Sequence, residues 1–106
     1  MISKRAIQRY CDAVAAAFKP RKIILFGSYA YGTPDEDSDV DDMVVMPRSR
    51  YRRDLDFHIR TRVPADFPVD VLVEPDDKLQ RRIEDKECFI LDITSKGKIM
   101  YEGSHA

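Results

Sequence analysis

The chain has 106 residues, 43% hydrophobic and 35% charged, with a formal net charge of −1. That length suits one domain with one core, the composition excludes a disordered chain, and the charge balance gives no overall pull toward nucleic acid or an anionic membrane. No apolar run approaches the roughly 18–20 residues a bilayer requires, and the stretch 13–18 is too short for a signal-peptide core, so a cytoplasmic protein is expected. Charge is unevenly placed all the same. Residues 35–42 hold six carboxylates, Asp35, Glu36, Asp37, Asp39, Asp41 and Asp42, whereas residues 48–62 hold six arginines.

In chain order, Ser3 can cap a helix whose apolar positions Ile7, Cys11, Val14 and Phe18 recur at helical spacing, and Pro20 ends it. Residues 22–26 read as a buried strand. After Gly27, Ser28 stands where a helix N-cap would, leading one helical turn to Tyr31. Gly32, Thr33 and Pro34 break that turn, and an acidic loop runs to Ser38. Residues 39–46 form a second strand closed by Pro47. An arginine-rich helix is expected over 49–62, with Tyr51, Leu55 and Ile59 on one stripe and Pro64 as its stop. Residues 67–73 make a third strand, apolar except for Asp70. Pro75 suits the first turn of a helix, and Leu79, Ile83, Ile90 and Ile93 continue a helical stripe with a break near Lys86. Gly97 stops it, and 98–101 form a last strand. Cys11 and Cys88 lack metal-ligand spacing, so both are expected as buried reduced thiols. No role is assigned to residues 103–106. The order αβαβαβαβ indicates a small α/β domain over 1–106, a mixed β-sheet with helices packed mainly on one side. The first two strands are joined too closely for a parallel crossover.

Asp39 and Asp41 flank one valine at the start of an apolar run, and strand alternation turns both to one face. Neighbouring carboxylates raise each other's cost of ionisation. A solvated acidic loop tolerates that, and so does a cation held between them. Magnesium takes oxygen ligands, commonly one or two carboxylates plus phosphate oxygens. Asp42 points to the opposite face and is not grouped with them. Asp70, inside an apolar strand, is costly unless it pairs with an arginine or binds a ligand. Gly27 lets the backbone approach an anion, amides at a helix start point toward negative charge, and Ser28 can add a hydroxyl; the same two residues would equally serve an ordinary strand-to-helix turn. An EF-hand starting at Asp35 fails, with Val40 in place of its glycine and Met46 in place of its glutamate. A P-loop fails for want of Gly-Lys-Ser/Thr. The arginine-rich stretch reads either as a solvated basic face or as a surface for a partner, and without interleaved exposed aromatics it does not read as a base-stacking surface.

Gly27-Ser28, a ten-residue interval, then Asp39-Val40-Asp41, with Asp70 on a later strand, together resemble the signature of the DNA polymerase beta-like nucleotidyltransferases, with a motif core at about 21–74. The short chain and its Pro68-Val69-Asp70-Val71-Leu72-Val73 are similar to the minimal nucleotidyltransferase branch, in which a lone catalytic domain is commonly encoded beside a helical HEPN-domain protein as an antitoxin and toxin pair. The resemblance implies that fold and a magnesium-dependent transfer of NMP, AMP from ATP, onto a hydroxyl. It implies that Asp39, Asp41 and Asp70 are catalytic and hold two Mg2+ ions, and that Gly27 and Ser28 bind the nucleotide. It further implies an acceptor tyrosine on a HEPN-domain partner encoded nearby, with no membrane and no direct nucleic-acid partner. Two other readings stand beside it: an antitoxin that acts by binding alone, and a small-molecule, antibiotic-type nucleotidyltransferase. One departure is plain. Family members commonly carry an arginine in the short helix after Gly-Ser, where this chain has Tyr29-Ala30-Tyr31, so the arginine contact to phosphate that the family pattern implies is missing here.

Overall fold

Ser3 opens the first helix, α1 (Lys4–Phe18), its hydroxyl accepting the amide of Ala6 at 3.1 Å, as a serine cap does. In the computed structural model, which describes residues 1–103, α1 is followed by β1 (Lys22–Phe26), α2 (Ser28–Tyr31), β2 (Val40–Met46), a 3-10 turn (Arg48–Arg50), α3 (Leu55–Arg62), β3 (Val69–Pro75), α4 (Asp76–Glu84), α5 (Cys88–Lys96) and β4 (Lys98–Glu102). Of the C-terminal stretch to which no role is assigned, Ser104, His105 and Ala106 lie outside the described residues. The sheet is mixed, as expected. Its order is β3-β2-β1-β4, with β1 antiparallel to β2 and β4, and β2 parallel to β3.

Strand alternation sends the apolar side chains to two cores. Ile23 and Leu25 of β1 and Val40, Val44 and Met46 of β2 meet α1 and α3, while Ile24, Met43 and Val45 meet Leu79 of α4 and Ile90 and Ile93 of α5. The helices therefore cover both faces. This corrects the expectation of helices mainly on one side, although the larger cluster does lie with α1 and α3. A parallel β2–β3 pair needs a crossover, which α3 supplies on the first face; α4 and α5 then return the chain over the second.

Two local expectations also change, and a third, the break near Lys86, holds. The arginine-rich helix is shorter than 49–62, because the chain pairs outward first: Arg48 meets Asp77 at 3.0 Å, and Arg50 donates to the carbonyl of Lys19. Arg60 pairs with Asp56, and Arg62 lies 4.9 Å above the ring of Phe18, so much of this stretch is engaged in intramolecular contacts. Cys11 is buried as expected, but Cys88, the first residue of α5, is exposed. The stripe over 79–93 breaks where Lys86 adopts φ 56°, giving α4 and α5.

Gly97 ends α5 under close constraint. A Cβ there would overlap the Ile93 carbonyl oxygen and lie 2.6 Å from Ile24 Cγ2 and 2.9 Å from the Leu25 carbonyl oxygen. Asp42 is the exception in the larger core, 1% exposed, with Oδ2 accepting from the Cys11 thiol at 3.5 Å and Oδ1 unpartnered. The Tyr10 hydroxyl, also buried, lacks a partner too. Burial pushes the Asp42 carboxyl up to about 7, partly offset by the Cys11 hydrogen bond and reinforced by Asp41.

Two stability predictions follow from these packing facts. Gly97→Ala should lower unfolding free energy by roughly 1–3 kcal/mol in a denaturant titration, the usual cost of overpacking. For Asp42, the unfolded carboxyl ionises near about 3.9, so between there and about 7 the folded chain keeps a proton the unfolded chain has lost. Its contribution to stability therefore falls as pH rises through that window. Asp42→Asn should match the wild type near pH 4 and exceed it at pH 8 by on the order of 3 kcal/mol in urea unfolding.

Candidate functional site

The register of three strands sets the site. Phe26 of β1 stands opposite Asp41 of β2, and Asp41 stands opposite Asp70 of β3. Opposed residues present their side chains on the same face, so Phe26, Asp41 and Asp70 form a row across the sheet on the side of α4 and α5. Asp39 lies just before β2, which begins at Val40 and not at 39 as expected, and it is near enough for its charge to act on Asp41. The carboxyl of Asp41 is held above its usual range, by burial first and then by the charges of Asp70 and Asp39. Both neighbours therefore act on it. The three acids predicted from the sequence are brought together.

The alternative for Asp70, an ion pair with an arginine, is not found: among the described residues none of the three acids has a basic partner. β3 is an edge strand, so Asp70 is exposed at the open side of the sheet.

Gly27 joins the row through its missing side chain. At φ 76°, a Cβ built there would overlap Asp41 Oδ2 and lie 3.3 Å from its Cγ. The backbone of the turn thus rests against the carboxylate, which only glycine permits. Gly27, not Ser28, is the N-cap of α2; its carbonyl accepts the amides of Ala30 and Tyr31 at 3.0 Å each, and Ser28 is the first helical residue. One turn of helix is too short to add much dipole. What the turn offers is Ser28's hydroxyl and first-turn amides that have no intrahelical partner, beside the acids.

Three carboxylates suit a hard divalent cation with oxygen ligands, and a cation would relieve the repulsion that raises Asp41. As they stand, no three His, Cys, Asp or Glu side chains among the described residues close to ligating distance. Asp39 and Asp70 are exposed, and neighbouring strands hold the Asp41 and Asp70 backbones about 4.8 Å apart. The donor set fits the ion by its chemistry. A cavity of about 570 Å³ lies elsewhere, lined by Ile2, Ile7, Leu25, Tyr29 and Met100 on the α1 side, and includes none of the acids.

One neighbour of the site was not singled out from the sequence. Phe89 of α5 meets Phe26 edge-on, ring centroids 6.0 Å apart at 90°. Phe89 lies off the Ile90 and Ile93 stripe, which is the signal that could have found it.

Comparison with known proteins bears on this geometry. The family described as "Nucleotidyltransferase domain" matches residues 7–92. A Methanocaldococcus jannaschii protein named "Putative protein adenylyltransferase" is 28% identical over 109 residues, covering 95% of this chain and all of that protein. Among solved structures, one described as a "putative nucleotidyltransferase" from Sulfolobus solfataricus superposes with TM-score 0.63 at 17% identity, over 92% of this chain and 78% of that one. A toxin-antitoxin with AMP-PNP gives TM-score 0.53 at 21% identity, over 91% and 73% of the two chains. A mutant of the toxin-antitoxin MntA-HpeT gives 0.61 at 17%, with the same coverage. At those identities the structures speak for the fold.

Gly27→Ala tests the turn. The added methyl forces the Asp41 carboxylate aside and strains a positive φ, so the variant should fold with a modest loss of stability, roughly 1–2 kcal/mol. If the site takes magnesium-bound ATP, the variant should also lose at least about tenfold in affinity for it by calorimetry, equivalent to about 1.4 kcal/mol.

Proposed function

Because the chain belongs to the nucleotidyltransferase domain family, matched over more than half its length, we propose that it transfers AMP from ATP, with magnesium, to a tyrosine hydroxyl of a HEPN-domain toxin encoded nearby, and so acts as its antitoxin. The observation that carries this reading is the row Asp41–Asp70 with Gly27 packed against Asp41. Acids and anion-tolerant turn lie where a triphosphate and an acceptor could meet. Support for the substrate and the partner comes from a relative named as a protein adenylyltransferase and from toxin-antitoxin neighbours, one with AMP-PNP.

In this reading each residue has a task. The main chain at Gly27 approaches the β- and γ-phosphates closely, and the Ser28 hydroxyl donates to one of their oxygens. Asp39, Asp41 and Asp70 would hold the magnesium, which when bound would neutralise triphosphate charge and lower the pKa of the acceptor hydroxyl. Asp70, at the open edge, orients the hydroxyl and receives its proton on a carboxylate oxygen. The acceptor oxygen bonds to the α-phosphorus as the bond from that phosphorus to the bridging oxygen breaks, and pyrophosphate leaves.

Intact-mass spectrometry of the HEPN-domain protein tests this, after incubation with this chain, ATP and magnesium. The expected result is a gain of one AMP or a small multiple, lost with Asp39→Ala and with EDTA. Asp39 is exposed, so its variant should keep the wild-type melting curve. A tight complex with no change of mass would instead leave an antitoxin that works by contact.

A further inference from the structure

We propose that Phe26 and Phe89 form the platform on which the nucleobase of the bound nucleoside triphosphate stacks, an inference that rests on the nucleotide reading of the site given above.

The position of the pair carries it. Phe26 is the register partner of Asp41 and the last residue before Gly27. Asp70 and Phe26 thus stand on opposite sides of Asp41. With the acceptor beside Asp70 and the terminal phosphates at Gly27-Ser28, the nucleoside attached to the α-phosphate would lie over Phe26 and toward α5. Phe89 is there. Its neighbours Ile90 and Ile93 are at most 1% exposed, whereas Phe89 itself is 53% exposed, a large apolar surface at the rim of an acidic site.

The ring is also held in place. Its edge-to-face contact with Phe26 is a favoured aromatic geometry, and it leaves Phe89 largely open. The start of α5 is tied down by Arg82, which pairs with Glu87, the N-cap of α5, at 3.0 Å and with the buried Glu74 of β3. A platform fixed before the ligand arrives loses little entropy on binding.

Stacking reads the area of a base, not its hydrogen-bonding edge, because every base has a π-face. The pair should therefore favour purines over pyrimidines and distinguish ATP from GTP poorly.

Calorimetry with magnesium and a non-hydrolysable ATP analogue, beside inorganic tripolyphosphate, separates the base from the phosphates. Phe89→Ala should weaken the analogue about tenfold, in the range expected for one base on one aromatic ring, and leave tripolyphosphate unchanged. Phe89→Trp should restore binding. The chain has no tryptophan, so the new indole reports directly, and its fluorescence should be quenched by ATP at saturation but not by tripolyphosphate. Unchanged analogue affinity in Phe89→Ala overturns the platform, as does an equal loss of tripolyphosphate. Unchanged analogue affinity with lost transfer to the protein acceptor overturns it in favour of an acceptor seat. If the wild type binds tripolyphosphate and the analogue equally well, the platform falls while the phosphate site stands. If it binds neither, the nucleotide reading itself falls.

Discussion

The phase of β2 is the constraint on which the site depends. Val40, Asp42, Val44 and Met46 point into the core under α1 and α3, and Met43 and Val45 into the core under α4 and α5. A slip of one residue would exchange the two sets and carry Asp41 into the core and Asp42 to the rim. Both cores oppose that slip, since it would break the packing of Met43 against Ile90 and Ile93 and of Val44 and Met46 on the other side. β1 and β3 lie on either side of β2, so the same lock fixes Phe26 and Asp70 against Asp41. The precision of the site is thus set by apolar packing on two faces.

The acidic rim is an electrostatic burden that the fold offsets elsewhere. Asp41 is raised by burial and then by its acidic neighbours, and one residue on, Asp42 is buried with one oxygen unpartnered. Against these stand ion pairs at the opposite end of β2. Arg21 meets Asp76 at 2.6 Å, and Arg48 meets Asp77. Both acids lie in the first turn of α4, where negative charge also suits the helix dipole. Exposed pairs of this kind contribute little each, so most of the compensation has to come from the cores.

Much of this was legible in the sequence. The boundaries of β1 could be read directly, because Ile23, Ile24, Leu25 and Phe26 form an apolar run with Gly27 after it. Strand alternation alone turned Asp41 and Asp42 to opposite faces, and the break near Lys86 was visible in the interrupted stripe. The arginine-rich stretch was misjudged in length because three apolar residues at helical spacing suggested continuity. The start of α3 was marked instead by Asp54, its N-cap, which pairs with His58 at 3.0 Å. The division of helices between two faces could not be read, since it depends on which side of the sheet each crossover takes. Phe89 escaped for a similar reason. Its neighbour Phe26 is more than sixty residues away in the chain, and only the packing of α5 against β1 brings them together.

The tight seat of Gly97 has a mechanical consequence when taken with Arg82. At one end of α5 the main chain is pressed against Ile24 and Leu25, leaving no room to pivot; at the other, Arg82 ties Glu87 to the sheet. A helix clamped at both ends serves as a wall and not as a lid. In the reading proposed above, nucleotide and acceptor would reach the acids along the open rim of the sheet, with α5 as a fixed wall beside them.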